Sequence, residues 1–186
     1  ATAPAAPAGS TTGLSESTSI GGLEATLESI YTQTSPSVVN IEVSTAAGGA
    51  LGSGFIWDTN GHIVTNNHVI ADATNISITF ADGTIVPAKL VGADIDSDLA
   101  VVKVDNVSST ALKPVTMADS SQLKVGQLAV AIGNPFGLQG TMTVGFISAL
   151  GRLVPVDENA VGPTYNIPDI IQTDASLNPG NSGGAL

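Results

Sequence analysis

The sequence has no cysteine and little histidine. Its 186 residues include no Cys and two His, which excludes a disulfide framework and a thiolate metal site. Zinc sites are built from several Cys, His or carboxylate ligands, so a metal centre is not expected with so few. The glycines of residues 48–54 lack the helix context of a dinucleotide-binding loop, and no Walker-type loop occurs. We therefore expect neither metal nor cofactor.

Positive charge is also scarce. Lys and Arg together number 5 against 16 Asp and Glu, giving a formal net charge of −11. Nucleic-acid binding depends on clustered Lys and Arg, so nucleic acid is not an expected partner, and adhesion to anionic membranes is equally disfavoured. Hydrophobic residues make up 42% of the chain, which is ample for the core of one or two small domains.

The first 19 residues lack both long apolar runs and clustered charge. Residues 1–19 are Ala, Pro, Gly, Ser and Thr with one Glu and one Leu, a composition that predicts a disordered linker. They contain neither the charged region nor the apolar region of a signal peptide. A linker of this kind suits a chain released from a signal or from a membrane anchor upstream. We therefore expect an extracytoplasmic location: periplasmic, cell-envelope or secreted.

The remaining residues divide into one helical and two β-rich parts. Apolar residues at helical spacing predict a helix over 22–34, within a segment 20–36 that packs on the domain or contacts another subunit. Short β-type runs separated by turn signals follow. The predicted strands of a first barrel, residues 37–113, are 38–45, 54–58, 62–66, 76–80, 85–91 and 99–104. Those of a second barrel, residues 114–186, are 128–132, 142–149, 169–174 and a strand leaving Ser182.

A serine lies in a glycine-rich run near the last residue of the sequence, Gly180-Asn181-Ser182-Gly183-Gly184. Glycine permits backbone conformations that a β-carbon forbids. Such a turn can aim successive N–H groups at one point, as an oxyanion hole requires. The run predicts a nucleophilic serine, although a flexible polar tail or a tight hairpin turn would contain the same residues.

A serine nucleophile needs a neighbouring base, and histidine titrates in the suitable range. His62 follows Asn60-Gly61, a strong hairpin-turn signal, which predicts a solvated residue without a role. His68 ends a strand-like run, where functional residues are often presented on loops. We predict that His68 is the base; a half-buried structural histidine is the alternative.

The acid that would orient this base is sought in one aspartate-rich segment. Asp98 directly precedes an apolar β-type run, so its carboxylate would lie near the core and need a partner. Asp94 and Asp96 are more typical of solvated turn residues, but spacing alone does not separate the three. The order His68, Asp98, Ser182 is one of the known orders of a Ser-His-Asp triad.

Six segments in the same order resemble the HtrA/Deg family of trypsin-like serine proteases, over residues 37–186. They are GSGFI at 52–56, TNNHV at 65–69, SDLAV at 97–101, AIGNPFG at 131–137, SALGR at 148–152, and IQTDA at 171–175 running into NPGNSGG at 178–184. The resemblance singles out Asp98 as the triad acid, because Asp98 matches the family's position for it.

The resemblance implies an all-β, trypsin-like fold of two six-stranded antiparallel Greek-key barrels with the catalytic groups in the crevice between them. It implies that Ser182 is the nucleophile, His68 the general base and acid, and Asp98 the orienting carboxylate. The oxyanion hole would use the N–H groups of Gly180 and Ser182, with Asn181 between them.

Further expectations come from the same resemblance. Arg152 resembles the family's arginine at an activation-sensing loop, here spanning 153–168, and a homotrimer is expected. Asn181 cannot form the ion pair that Asp makes with a freshly cut N-terminus in digestive enzymes, which favours activation by loop rearrangement. The short, Gly/Ala-rich loop 45–51 cannot block neighbouring active sites as a longer loop does in some relatives. Ala185 replaces the family's usual Pro, with little expected effect.

A second barrel of this kind needs about two more strands after Ser182. We therefore expect these residues to belong to a longer chain, in which a PDZ domain often follows, or to an inactive fragment. The predicted function is that of a serine endopeptidase cleaving unfolded or damaged proteins, in protein quality control and the stress response. The alternative is a chaperone-like peptide-binding module with little or no catalysis.

Overall fold

A computed structural model of the chain describes residues 20–46, 48–108, 110–135, 140–155 and 166–186. The predicted linker, 1–19, lies outside the described residues. Helix α1 spans Ile20–Thr34, slightly longer than the predicted 22–34, and a single 3-10 turn, Ser35–Ser37, follows it. Pro36 lies in that turn, where its missing N–H and its ring end the α-helix. Along the described part of the chain, no helix is both long and apolar enough to cross a bilayer.

Six antiparallel strands close into a barrel, as predicted. They are β1 Val38–Thr45, β2 Gly48–Ile56, β3 His62–Asn66, β4 Asn75–Thr79, β5 Ile85–Asp94 and β6 Leu99–Val104. Their order around the barrel is β1-β2-β3-β6-β5-β4. The core inside the barrel includes Ile41 of β1, Ile63 of β3 and Ile78 of β4, all fully buried, with Phe80 after β4 at 1% exposure. Closure pairs every strand with two neighbours and leaves no free edge.

Three strands of the barrel differ in their bounds from the prediction. Strand β4 spans Asn75–Thr79 instead of 76–80, and β2 ends at Ile56 instead of residue 58. Strand β2 begins at Gly48 rather than Gly54, and it pairs with β1 from Thr45↔Gly48 onward. Residues 45–51, predicted to form a short loop, are therefore mostly the two ends of a β-hairpin. Strand β5 continues to Asp94 instead of ending at residue 91. Gly and Ala have weak strand propensity, so the pairing partner, and not the local sequence, determines that β2 starts so early.

Strand β7, Leu128–Gly133, begins a three-stranded sheet that continues with β8, Thr141–Pro155, and β9, Asn166–Thr173. The first half of β8 pairs with β7 and its second half pairs with β9, with several register shifts between Ile147 and Val154. An isolated bridge joins Ile132 to Ala185 beyond the sheet. The second barrel is thus incomplete, as predicted: within the described residues it is a three-stranded sheet, and the strand expected to leave Ser182 is a single bridge at Ala185.

The length of β8 corrects one expectation. Arg152 lies on β8 opposite Ile170, and the strand continues through Leu153 to Pro155. Both ends of the predicted sensing loop, 153–168, are therefore strand residues, because β8 ends at Pro155 and β9 begins at Asn166. Residues 156–165, its middle, lie outside the described residues.

Helix α1 is tied to this second sheet. The hydroxyl of Tyr31 donates a hydrogen bond to the carbonyl oxygen of Gly140 at 2.8 Å, directly before β8 begins. An apolar cavity of about 460 Å³ lies between β2 and the second sheet and includes Phe55, Leu128 and Ile147 in its lining. It does not include any of the predicted triad residues.

Candidate active site

His68 lies on a short helix that the sequence did not predict. Helix α2 spans Asn67–Ile70 and follows β3 without a connecting loop. Val69 and Ile70 are buried, while the His68 side chain is 57% exposed. Gly52 on β2 permits this arrangement, because a β-carbon there would lie 2.5 Å from a methyl carbon of Val69. The packed face of α2 therefore fixes the direction in which His68 points.

Asp98 binds His68 through both carboxylate oxygens. Its Oδ2 is 2.7 Å from His68 Nδ1, and its Oδ1 accepts the His68 backbone N–H at 2.9 Å. The Asp98 carbonyl oxygen accepts two further hydrogen bonds, from Asn67 N at 2.9 Å and from Asn66 Nδ2 at 3.0 Å. A carboxylate only accepts, so Nδ1 carries the hydrogen and Nε2 is left with a lone pair. The imidazole is thereby held in the form that can take up a proton.

The backbone of Asp98 is unusual. Its φ is +52°, in the left-handed region, where Asp and Asn occur more readily than most other non-glycine residues. Asp94, by contrast, bonds within its own turn, accepting from Asp96 N at 3.1 Å and from Ser97 Oγ at 2.8 Å. The structure thus distinguishes the three aspartates that sequence spacing did not: Asp98 alone among them contacts His68.

His62 corrects an expectation, because it is neither fully solvated nor unpartnered. Its Nδ1 lies 2.7 Å from Asp58 Oδ2, and its side chain is 31% exposed. Asp58 Oδ1 also accepts the backbone N–H groups of Asn60 and His62. The hydrogen bond from the His62 side chain, followed by these backbone bonds, holds the pKa of Asp58 well below its usual value of 3.8. The pair stabilises the β2–β3 turn, away from His68.

Ser182 lies in a tightly bonded double turn. Asn181 N donates to Asn178 O at 3.0 Å across a turn whose Gly180 has φ +93°, the geometry that Pro followed by Gly favours. A second turn closes with Gly184 N donating to Asn181 O at 2.9 Å. Ile132 and Ala185 then exchange two hydrogen bonds of 2.8 and 2.9 Å, which fasten the turn to β7.

Two N–H groups of this turn are available for an incoming oxygen. Within the described part of the chain, the backbone N–H groups of Gly180 and Ser182 donate to no other group. Unpaired N–H groups next to a serine hydroxyl are the arrangement an oxyanion hole requires. Asn181, between them, is 9% exposed, and its side-chain amide has no hydrogen-bond partner among the described residues. An aspartate here would be a buried charge without a partner, which is far more costly than a neutral amide.

The Ser182 turn lies against the strand that leads to His68. Gly183 is packed so closely that a β-carbon would collide with Ser53 O and Thr65 Oγ1 and would lie 3.2 Å from Asn66 N. A cleft of about 410 Å³ is lined by Asn66 on one side and by the Ser182 turn on the other. The end of β3, directly before the helix that carries His68, and the Ser182 turn thus line the same cleft from the two halves of the fold. Among the described residues, no hydrogen bond yet joins His68 to Ser182, a state common in enzymes without bound substrate.

Sequence reasoning missed one residue at this junction. Ser53 on β2 is completely buried, and its Oγ donates a 2.6 Å hydrogen bond to Gly180 O. Its backbone N–H donates to Ser182 O at 2.8 Å. The only signal in the sequence was a polar residue between two glycines in GSGFI. No cluster of three or more potential metal ligands occurs in the part of the chain that the structure describes.

Comparison with known proteins agrees with this geometry. Residues 52–186 match the family of the trypsin-like peptidase domain. Serine protease PepD of Mycobacterium tuberculosis is 43% identical over 99% of this chain and 42% of its own length. A protein of Chlamydia trachomatis named "Probable periplasmic serine endoprotease DegP-like" is 50% identical over 73% of this chain and 25% of its own length. The chain thus spans less than half the length of these two relatives.

Comparison with solved structures agrees with the comparison of sequences. The structure "HtrA-type protease AlgW with tripeptide" superposes with a TM-score of 0.73 and 39% identity, over 86% of this chain and 49% of that one. The range 52–186, which the family of the trypsin-like peptidase domain matches, includes the Ser182 turn, the His68 helix and the Asp98 turn. The chain belongs to the HtrA/Deg family of trypsin-like serine proteases.

Proposed function

We propose that this chain carries the catalytic apparatus of a serine endopeptidase. The observation that supports this most strongly is the pairing of His68 Nδ1 with Asp98 Oδ2, 2.7 Å apart, on the helix that follows Asn66, a residue lining the cleft of the Ser182 turn. A histidine held by a carboxylate, together with a serine that has free neighbouring N–H groups, is the set of groups of a Ser-His-Asp triad, whatever the fold.

The proposed reaction has two halves. Ser182 Oγ attacks the scissile carbonyl carbon and passes its proton to His68 Nε2, while the oxygen that becomes negative is held by the N–H groups of Gly180 and Ser182. His68 then donates that proton to the leaving amine as the C–N bond breaks, leaving an acyl-enzyme. Water repeats the sequence, and the Ser182 hydroxyl is restored. Asp98 holds the imidazole tautomer and stabilises its positive charge throughout.

We propose unfolded or damaged polypeptides as substrates. The name of the AlgW structure records a bound tripeptide in that protein, and a short extended segment is the kind of ligand that an open cleft accepts. An endopeptidase with such substrates would act in protein quality control and the stress response. We further propose the division into a first barrel, 37–113, and a second, 114–186, since every strand of the closed barrel lies between Val38 and Val104.

We also propose three finer features of the family for this chain. A homotrimer, a role of Arg152 in sensing activation, and an extracytoplasmic location with a membrane anchor upstream all extend the family resemblance to this chain. The location is supported by the name of the Chlamydia relative, which places that protein in the periplasm. The sedimentation velocity of the purified protein tests the trimer directly.

A peptide-binding module with little catalysis is the second candidate. Among the described residues, His68 and Ser182 share no hydrogen bond, and this observation favours it. The deciding experiment measures intact mass before and after treatment with a fluorophosphonate, which modifies activated serines. Catalysis predicts one adduct that Ser182→Ala abolishes, whereas peptide capture without any adduct in either protein would support the binding module.

A further inference from the structure

Ser53 is a buried polar residue at a position that could have been apolar. It lies on β2 within the barrel wall at 0% exposure, between two glycines that are each packed against neighbouring side chains. A hydroxyl removed from water without a hydrogen-bond partner destabilises a folded protein. The hydrogen bonds that the Ser53 hydroxyl makes offset this destabilisation.

Ser53 uses every hydrogen-bonding group it has, and together these groups reach three segments: the Ser182 turn, the residue after β7, and β3. Its N–H donates to Ser182 O at 2.8 Å, and its Oγ donates to Gly180 O at 2.6 Å. The same Oγ accepts the N–H of Asn134 at 2.8 Å, next to the end of β7. Its carbonyl oxygen accepts Thr65 Oγ1 at 2.7 Å on β3. One side chain and its peptide groups thus join both sheets to the turn that carries Ser182.

These bonds determine the direction of the peptide groups around Ser182. Gly180 O and Ser182 O are held by Ser53, and Asn181 O between them is held by Gly184 N at 2.9 Å. In a trans peptide the C=O of one residue and the N–H of the next are coplanar and point in opposite directions. Three successive fixed carbonyls therefore fix the N–H groups of Asn181, Ser182 and Gly183. The N–H of Ser182 belongs to the peptide of Asn181 O, which lies between the two peptides that Ser53 holds.

We propose that Ser53 is a positioning residue for Ser182, which holds the peptide groups on both sides of the Asn181–Ser182 peptide in the reactive arrangement. The inference rests on the proposed serine-protease function. Ser53 does not touch the substrate; it acts through the carbonyls on either side of Asn181. Without the Ser53 hydroxyl, Gly180 O and Asn134 N lose their hydrogen-bond partner. The turn is then free to adopt other peptide orientations.

The test compares Ser53→Ala with Ser53→Thr, which keeps the hydroxyl, and with Ile78→Val. Ile78 is fully buried in the barrel core and makes no contact with the turn through hydrogen bonds, so Ile78→Val controls for lost stability alone. We expect Ser53→Ala to lower the rate of fluorophosphonate labelling about 10- to 100-fold, since misplacement by about 1 Å costs up to a factor of this size. Ser53→Thr should recover most of that rate, and Ile78→Val should label like the parent chain.

Two further measurements separate positioning from general destabilisation. Ser53→Ala should lower the plateau of the pH–rate profile without moving its midpoint, because the His68–Asp98 pair is untouched. Amide hydrogen exchange of Asn134 and Ala185 should accelerate in Ser53→Ala and not in Ile78→Val. If Ser53→Ala labels as fast as the parent chain, or Ile78→Val loses as much, the proposal is wrong. If the parent chain does not label, the protease function fails, while unchanged exchange at Asn134 would separately refute the Ser53 contact.

Discussion

Asp98 makes its strongest contribution through the hydrogen on His68 Nδ1. Asp98→Asn offers an amide that can donate to Nδ1 in place of the carboxylate, so the hydrogen would move to Nε2, which then cannot take up a proton. Under the proposed mechanism, we expect the labelling or hydrolysis rate to fall by about 10⁴, the size of the effect for this substitution in a related triad.

Asp94→Asn is the matched control for that experiment. Asp94 lies in the same segment but accepts hydrogen bonds only within its own turn, so its substitution should leave the rate unchanged. An equal loss in both variants would mean that the aspartate-rich turn contributes by its fold and not by its contact with His68.

The Asp58–His62 pair predicts that the stability of the folded chain depends on pH in the acid range. The pKa of Asp58 is lowered chiefly by the His62 side chain, so the ionised carboxylate stabilises the folded state at neutral pH. That stabilisation is fully present above pH 3.8, the usual pKa of an aspartate. It is lost as the pH falls from there through the lowered pKa of Asp58. Melting temperatures from pH 7 to 2 should show Asp58→Asn less stable at neutral pH, with the difference from the parent chain shrinking below pH 3.8. A constant difference at all pH values would contradict this.

At the scale of elements, the packing of β2 against α2 limits where His68 can lie. A β-carbon on Gly52 would meet Val69 of α2 at 2.5 Å, so Gly52→Ala must displace α2 or distort the strand. We expect the free energy of unfolding to fall by about 1–3 kcal/mol, as overpacked sites do, and the labelling rate to fall with it because His68 moves. Chemical denaturation and labelling measure the two effects.

Gly49→Ala provides the comparison within the same strand. A β-carbon on Gly49 would lie 3.5 Å from Val43 O, which is ordinary contact, and β-propensity favours Ala over Gly in a strand. We expect no loss of activity and little change in stability. Loss of activity in Gly49→Ala would show that β2 tolerates no side chain anywhere and would remove the argument for Gly52 in particular.

The elements also show what the sequence can and cannot predict. Strands β1, β3 and β6 have the predicted bounds because alternating β-branched residues end at clear turn signals. Helix α2 was missed because its four residues follow a strand directly and are too few for helical periodicity. The start of β2 at Gly48 was missed because only its pairing with β1 makes it a strand. Asp98 was recognised through the family's motif, whereas its hydrogen bonds to α2 are properties of the folded chain.

At the scale of the whole molecule, helix α1 is held to the second sheet by Tyr31. Tyr31→Phe removes the 2.8 Å bond to Gly140 O and should lower the free energy of unfolding by about 0.5–1.5 kcal/mol. Amide exchange along α1 should accelerate more than exchange in the barrel. Thr32→Val is a suitable control, because Thr32 Oγ1 bonds only Glu28 O on the exposed side of the same helix. Equal effects of the two substitutions would contradict an anchoring role.

The bond from Ser53 to Gly180 joins residues 127 positions apart, whereas all strands of the closed barrel lie between Val38 and Val104. Closing a long loop costs more entropy than closing a short one, and contacts distant in sequence form slowly. As the chain leaves the ribosome, the barrel with His68 and Asp98 can close well before Ser182 is synthesised. The order of synthesis thus separates the pairing of His68 with Asp98 from the arrival of Ser182, so that under the proposed mechanism the nascent chain has no nucleophile beside its base while the barrel closes.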